Sequence, residues 1–200
     1  MDSVAITLRG SHRIERLKQH LTESGVCDFR LFYGIDAPYS GITTNLTYEV
    51  DNPGSGYIMA QKTTGCYLSH WMLWTALEFD RSVLDAVMIF EDDVILHSGW
   101  KKIIDDAILK LPSDWDILFG GSCCASDKLG NQIAHNLFEG VPLCLHFYIV
   151  RKKALKTLIE TNSKFSGPID IGIYFNSKQH LKSYIIFPRV ADQVDTVLSD

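Results

Sequence analysis

An uninterrupted apolar run ends in three consecutive carboxylates near the middle of the chain. The run Ala86-Val87-Met88-Ile89-Phe90 leads into Glu91-Asp92-Asp93, and Val94-Ile95-Leu96 is apolar again. A short apolar run without a helical period predicts a strand that is buried on both faces, as in a parallel α/β sheet. The carboxyl ends of such strands form the ligand-binding edge of the sheet. The three carboxylates are therefore predicted to lie at a binding edge.

Two interpretations of this acidic motif stay open on the residues alone. Neighbouring carboxylates repel one another, by roughly 4 kcal/mol for a pair about 4 Å apart near a protein surface. A hard divalent cation would offset the repulsion, since Mg²⁺ and Mn²⁺ are commonly held by one or two carboxylates plus substrate phosphates. The alternative is a solvated acidic turn that follows a core strand.

Similar patterns predict the other elements, which alternate between strand and helix. The predicted strands are residues 4–8, 29–34, 116–121, 144–150 and 184–187. The predicted helices are residues 14–21, 63–77, 100–111 and 153–160, and a further one opens at residues 166–170. Residues 39–61 and 122–140 are predicted to be loops. The pattern favours one α/β domain spanning residues 1–200.

Composition narrows the class of protein. Hydrophobic residues make up 46% of the chain and charged residues 22%, which is typical of a soluble globular domain. The net charge of −5 and the lack of a basic block argue against nucleic acid as a partner. No run is long enough to span a membrane, and the amino terminus does not resemble a signal peptide, so we expect a cytoplasmic protein.

The five cysteines are odd in number and include no C-x-x-C pair. They are predicted to be reduced thiols, mostly packing residues, without a disulfide framework or a zinc site. Asn45-Leu46-Thr47 matches a glycosylation sequon, which matters only if the chain is secreted.

Four other polar residues each have a functional and a plain structural interpretation. Arg9 follows the first strand, where a ligand would be met, but it could equally be a surface arginine. Asp36 ends the second strand, although an Asp before Ala-Pro is often only a turn residue. His70 lies in an apolar helix and is predicted to be a hydrogen-bonded core residue. Asp170 in a first helical turn is also a routine dipole partner.

The combination of motifs is more specific than any single one. Gly65-Cys66-Tyr67-Leu68-Ser69-His70, then Trp74, then Ile89-Phe90-Glu91-Asp92-Asp93-Val94 occur in an order and spacing that resembles glycosyltransferase family 25. That family holds lipopolysaccharide sugar transferases and collagen galactosyltransferases, and the small size and missing signal peptide of this chain resemble bacterial or large-virus members more than secretory-pathway ones. The likeness extends to residues 115–118, 146–150, 168–170 and 199–200. Thr63 departs from it, because the family usually carries a Glu there.

The resemblance implies a GT-A fold, a single Rossmann-like α/β/α domain with a mostly parallel sheet. It also implies transfer of a hexosyl group from a nucleotide-diphosphate sugar, with a UDP-sugar as the first expectation, to a glycan or glycoconjugate acceptor. Mn²⁺ or Mg²⁺ is the expected cofactor. In a viral member, the compartment would be the host cytoplasm. The chain ends at Ser199-Asp200, where the family pattern continues, so we expect it to be the first domain of a longer protein.

Roles follow for the residues that match. Asp93 is the first choice for metal ligand, and Glu91 shares its face if strand alternation persists, whereas Asp92 points toward ribose or sugar hydroxyls. The ends of the first two strands would hold the nucleoside. Asp170 is the candidate general base if transfer inverts the anomeric centre. The residues assigned to the nucleotide sugar are Thr7, Leu8, Arg9, Asp36 and Asp92.

Two other classes of function compete with transfer. A nucleotidyltransferase would use the same metal chemistry. It would be expected to carry a Gly-rich, basic phosphate loop near the first strand, which Leu8-Arg9-Gly10-Ser11 resembles only in part. A non-catalytic sugar-nucleotide-binding domain should have lost a metal carboxylate, and all three remain.

Overall fold

The computed structural model describes residues 1–41, 56–123, 125–164 and 167–194. The sequon at Asn45, most of the predicted loop 39–61 and the closing Ser199-Asp200 lie outside these residues. The described part contains ten strands and five α-helices. They are β1 Asp2–Thr7, α1 Ile14–Glu23, β2 Arg30–Tyr33, α2 Gly56–Phe79, β3 Ala86–Glu91, β4 Val94–Leu96, α3 Trp100–Ile108, β5 Ile117–Phe119, β6 Gln132–Ala134, β7 Leu137–Glu139, β8 Phe147–Arg151, α4 Lys152–Thr161, α5 Ile169–Gly172, β9 Ser183–Ile186 and β10 Ala191–Gln193.

The central sheet has the strand order β2-β1-β3-β8-β5-β9-β7-β6. Strand β3 pairs parallel to β1 and antiparallel to β8. Following the pairings across the sheet, β7 and β8 run against the other six strands. The sheet is therefore mostly parallel in direction, as predicted, and β3 lies near its centre.

Helices cover both faces of this sheet. Successive apolar side chains of its strands point to opposite faces, so both faces must be buried. Val87 and Ile89 of β3 belong to a core shared with α2, α4 and α5. Phe90 belongs to a second core shared with α1 and α3, where it stacks on Phe147 and meets the edge of Trp100. Two buried apolar layers around one sheet make a three-layer α/β/α domain.

Strands form in two regions where the sequence pattern predicts none. Residues 122–140, predicted as a loop, contain a 3₁₀ turn at Ala125–Lys128 and the antiparallel pair β6–β7. The segment after residue 188 contributes β10, which pairs antiparallel with β4 in a separate two-stranded sheet. These strands have three residues each, which is too short for an alternating pattern to be visible in the sequence.

The prediction that all cysteines are reduced thiols is wrong for two of them. Cys123 and Cys144 form a disulfide, whereas Cys27 and Cys66 are free. The bonded pair is separated by 21 residues, so no local spacing motif marks it. The backbone brings them together, since the Cys123 amide donates to the Leu143 carbonyl oxygen at 2.8 Å. Cys124 lies outside the described residues.

Gly65 lies where α2 packs against the segment that follows β2. A Cβ atom at residue 65 would lie 2.6 Å from the Ile35 carbonyl oxygen and 3.3 Å from the Ala37 nitrogen, both of them backbone atoms. The glycine therefore lets the backbone on either side of Asp36 pack directly on the helix.

We expect Gly65→Ala to lower the free energy of unfolding by about 1–3 kcal/mol, because the clash outweighs the gain of about 1 kcal/mol in helix propensity. Urea denaturation monitored by circular dichroism measures the change. Ala76→Gly, at an exposed position of the same helix, calibrates the propensity contribution. A Gly65→Ala variant as stable as the wild type would contradict the expectation.

Candidate functional site

The acidic motif spans the end of β3 and a turn. Glu91 is the last residue of β3, and Asp92 and Asp93 form the turn into β4. The side chains of Glu91, Asp92 and Asp93 are only 20%, 15% and 16% exposed. A solvated acidic turn, the structural alternative, does not agree with this burial.

Asp92 accepts hydrogen bonds from residues at the end of β1, in the turn that follows it and in α1. Its Oδ2 accepts a hydrogen bond from Thr7 Oγ1 at 2.8 Å and a longer one from Ser11 Oγ at 3.4 Å. Its Oδ1 accepts from Arg13 Nη1 at 3.2 Å, and its carbonyl oxygen accepts from Arg16 Nη2 at 2.6 Å. These contacts fix the Asp92 carboxylate to the turn between β1 and α1.

Glu91 faces α2, on the same side of β3 as Ile89. Its Oε1 lies 2.9 Å from His70 Nε2 and 4.0 Å from Cys66 Sγ, one helical turn apart. Its Oε2 accepts from Gln193 Nε2 at 3.5 Å. Burial alone would raise the pKa of Glu91, but the hydrogen bond from His70 and the positive charge around the carboxylate, Arg13 included, outweigh it and lower that pKa. Glu91 is therefore an ionised carboxylate at neutral pH.

Asp93 has fewer hydrogen-bond partners than Glu91 or Asp92. Its Oδ2 accepts from Gln193 Nε2 at 3.4 Å and lies 3.7 Å from Arg13 Nη1, whereas its Oδ1 is buried without a hydrogen-bond partner. Burial, together with the charge of Glu91, raises the pKa of Asp93 to about 6. A buried carboxylate oxygen that lacks a donor, next to a second carboxylate, is the donor set that suits a hard divalent cation.

A pocket of about 220 Å³ opens beside Glu91 and Gln193. Asp170 lies in its wall, where Oδ2 accepts from the Cys144 amide at 2.9 Å and Oδ1 from the Ile171 amide at 2.8 Å. Thr63 also lines this pocket. The fold thus brings Asp170 and Glu91 to one cavity although 79 residues separate them in the sequence.

A larger depression of about 690 Å³ lies elsewhere, between β9, the Lys128 turn and residues 174–182. Its lining includes Tyr174 and Lys182 but no member of the acidic motif. The predicted site residues Glu91 and Asp170 line the smaller pocket instead.

The residues predicted to hold the nucleoside lie at or just after the ends of β1 and β2, which are neighbouring strands. Thr7 is buried and bonded to Asp92, as described above. The Arg9 guanidinium lies over the Tyr33 ring at 4.7 Å, which connects the ends of β1 and β2. Leu8 is half-buried beside them, and Asp36 follows β2. Their assignment to nucleoside binding stays a prediction.

Sequence reasoning missed three residues of the site. Gln193 on β10 donates to both Glu91 and Asp93, Arg13 lies against Asp92 and Asp93, and Tyr148 on β8 contacts His70. The position of Arg13 in the turn before α1 was a usable signal, since that turn faces the ligand-binding edge. No sequence pattern marks Gln193, because it lies 100 residues from Asp93 and in a three-residue strand.

His70 is a buried, hydrogen-bonded residue, as predicted. It is 1% exposed, and its Nδ1 lies 3.0 Å from the Tyr148 hydroxyl. Trp74 Nε1 also bonds to that hydroxyl, at 2.8 Å. The indole N–H can only donate, so the Tyr148 oxygen accepts from Trp74 and its own hydrogen is free for His70 Nδ1. His70 then carries its proton on Nε2 and donates it to Glu91.

We expect His70→Ala to lower the free energy of unfolding by about 3 kcal/mol, because it leaves a cavity and removes a partner from Tyr148. The loss of stability should exceed the loss of turnover per folded molecule. Guanidinium denaturation measures the first, with the exposed His180→Ala as control. Normal stability with collapsed turnover would show that His70 acts in the chemistry.

Comparison with solved structures identifies distant neighbours. A glycosyltransferase involved in the glycosylation of the major capsid of PBCV-1 aligns with a TM-score of 0.49 at 11% identity, over 94% of this chain and 83% of that one. A Drosophila β1,4-galactosyltransferase 7 mutant, in complex with manganese, UDP-Gal and xylobiose, aligns with a TM-score of 0.43 at 13% identity, over 94% of this chain and 66% of that one.

Curated relatives are similar over part of the chain. The probable inactive glycosyltransferase 25 family member 3 of Bos taurus is 27% identical over 143 residues, which is 67% of this chain and 23% of that protein. The inactive glycosyltransferase 25 family member 3 of Mus musculus is 28% identical over 95 residues, 46% of this chain and 15% of that protein. The matches thus span less than a quarter of these relatives' length.

The family match covers more than half of the chain. Residues 4–129 match the sequence profile of glycosyltransferase family 25 (LPS biosynthesis protein), a range that includes most of β1, all of α2 and the acidic motif. The three-layer α/β/α architecture with a mostly parallel sheet agrees with the domain that the resemblance to this family implies. Within the described residues, every helix is too short or too polar to cross a membrane. The chain belongs to glycosyltransferase family 25.

Proposed function

We propose that the protein transfers a sugar from a nucleotide-diphosphate sugar, with UDP-sugars as the first choice, to a hydroxyl group of a glycan acceptor. The observation that carries the proposal is the pairing of Glu91 with Asp93, whose buried Oδ1 lacks a hydrogen-bond donor. Glu91 and Asp93 would hold Mn²⁺ or Mg²⁺. The bound cation supplies charge stabilisation to the departing nucleoside diphosphate.

The other residues of the site would position these two carboxylates and the donor. Gln193 donates to both carboxylates and so sets their spacing. Arg13 offsets part of the negative charge, since its guanidinium lies 3.2 Å from Asp92 and 3.7 Å from Asp93. The nucleoside would lie over the ends of β1 and β2, against Thr7, Leu8, Arg9, Asp36 and Asp92.

Asp170 is the proposed general base. It lines the same pocket as Glu91, and two backbone amides hold its carboxylate in place. A general base must hold its carboxylate within hydrogen-bond reach of the attacking hydroxyl. An acceptor hydroxyl in the pocket could pass its proton to this carboxylate while attacking the anomeric carbon. The role applies to an inverting transfer, since a retaining one requires no such base.

A second candidate is a domain that binds the donor without transferring the sugar. The observation that favours it is the name of the curated relatives, which are called inactive or probably inactive. Thr63 points the same way, since it replaces a carboxylate of the family pattern in the pocket wall. The retention of Glu91, Asp92 and Asp93 favours the transferase.

One experiment separates the two candidates. Thermal shift with UDP-, GDP- and CMP-sugars, with and without Mn²⁺, identifies a donor that binds. The same donor, radiolabelled in the sugar, is then incubated with protein and Mn²⁺ without acceptor. Slow Mn²⁺-dependent hydrolysis supports the transferase, and binding without hydrolysis supports the non-catalytic domain. Absence of binding by any sugar nucleotide would contradict both.

A further inference from the structure

We propose that Cys66, His70 and Glu91 form a binding site for a thiophilic divalent cation such as Zn²⁺, distinct in its donors from the oxygen site of Glu91 and Asp93. One ligand atom from each of the three residues lies within 4.8 Å of the other two. The binding itself does not depend on the proposed function. Its effect on the Mn²⁺ site, described below, rests on that function.

The backbone places the three donors on one side of β3. Cys66 and His70 are four residues apart on α2, so both side chains project from the same face of the helix. Glu91 meets them from the end of β3, with Oε1 at 2.9 Å from His70 Nε2 and 4.0 Å from Cys66 Sγ. In a tetrahedral zinc site, ligand atoms at the usual metal distances lie about 3.4–3.6 Å apart. The two distances from Glu91 therefore need to change by about half an ångström, and the distance between Cys66 and His70, which is within 4.8 Å, by up to about 1.2 Å.

The chemistry of the donors selects the class of cation. A thiolate and an imidazole favour Zn²⁺ or Co²⁺, whereas Mg²⁺ and Mn²⁺ prefer carboxylate and water oxygens. Three protein ligands leave a fourth position for water in a tetrahedral site. Cys66 and Glu91 both line the 220 Å³ pocket, which gives that position access from outside.

The surroundings of His70 also suit a metal ligand. Binding through Nε2 requires the imidazole proton to move to Nδ1, which faces the Tyr148 hydroxyl at 3.0 Å. The phenolic oxygen has two lone pairs, so it can accept from His70 and from Trp74 together. A ligating histidine is usually oriented by such a hydrogen bond on its other nitrogen. The Cys66 thiol gives up its proton to solvent as the sulfur–metal bond forms.

The two proposed cation sites would use different oxygens of the Glu91 carboxylate. Oε1 faces Cys66 and His70, whereas Oε2 faces Gln193, which also bonds to Asp93. A Zn²⁺ ion on Oε1 would place a second positive charge next to the Mn²⁺ position. We expect Zn²⁺ to inhibit transfer for this reason, and Cys66→Ser to relieve the inhibition.

The test uses Co²⁺ as a spectroscopic substitute, added to the whole chain with its disulfide intact and with no donor or acceptor present. A thiolate-to-cobalt charge-transfer band that saturates at one ion per chain, and that Zn²⁺ then abolishes, is expected. Calorimetry measures the Zn²⁺ affinity directly. Cys66→Ser should lose the band and weaken Zn²⁺ binding by about 100-fold or more, since even indirect partners of a metal are worth 10–100-fold.

The chain offers a matched control in Cys27, the second free cysteine among the described residues. Cys27→Ser should keep both the band and the affinity. Absence of the band from the wild type, or its persistence in Cys66→Ser, would overturn the proposal. These measurements contain no sugar nucleotide, so they decide the metal site whether or not the protein proves to be a transferase.

Discussion

Asp93→Asn is expected to abolish Mn²⁺-dependent donor binding and sugar transfer while the fold is retained. The amide carries no charge and cannot replace the buried carboxylate oxygen proposed to bind the cation. Calorimetry with donor and Mn²⁺ measures binding, and a radiolabel assay measures transfer. Asp85→Asn is the matched control, because Asp85 is an exposed carboxylate at the opposite end of β3. Unchanged Mn²⁺-dependent donor affinity would remove Asp93 from the cation site.

The same substitution should stabilise the metal-free protein at neutral pH. The pKa of Asp93 is raised from 3.8 to about 6, so the folded chain holds a proton that the unfolded chain has lost between these values. Its free energy of unfolding therefore falls as the pH rises through this window, and the cost is complete above about pH 6. Two pKa units correspond to about 3 kcal/mol, which we take as the upper limit.

Urea unfolding at pH 4 and at pH 7.5, with EDTA present, checks this expectation. The difference in stability between wild type and Asp93→Asn should be small at pH 4 and should favour the variant at pH 7.5. A variant that is less stable than the wild type at pH 7.5 would show that the carboxylate is better satisfied than its surroundings indicate.

Asp170→Asn is expected to lower turnover by roughly 10²-fold or more and to leave donor affinity nearly unchanged. The amide cannot accept the proton of the attacking hydroxyl. Because Asp170 also accepts from the Cys144 and Ile171 amides, the variant should lose some local stability. Thermal denaturation is therefore measured alongside, and turnover is compared at a temperature where both proteins are folded.

Asp114→Asn provides a control for removal of an acidic charge, since Asp114 is an exposed partner of Lys182 outside the pocket. The configuration of the product, read by NMR, completes the test. An inverted product with reduced turnover fits the general-base role. Near-normal turnover, or a retained configuration, would exclude Asp170 from that role.

The local hydrophobic pattern was sufficient to predict the helices and strands around the acidic motif. The apolar run 86–90 predicted β3, and the 3.6-residue period predicted α3, because burial on one or both faces leaves a record in neighbouring residues. The position of Glu91 at a strand end followed from the same record. The burial of His70 could also be predicted, since α2 is apolar nearly all round.

Contacts between distant segments produce no such local pattern in the sequence. The disulfide between Cys123 and Cys144, the reversal of β8 in a mostly parallel sheet and the bridge of Gln193 to Glu91 and Asp93 all depend on which strands become neighbours. Strand periodicity encodes which face is buried but not the partner or its direction. The sequence by itself determined the α/β class, the acidic edge and the family. Only the tertiary structure decided that Asp170 and Cys66 reach the pocket beside that edge, because chain closure rather than local propensity sets distances between residues far apart in sequence.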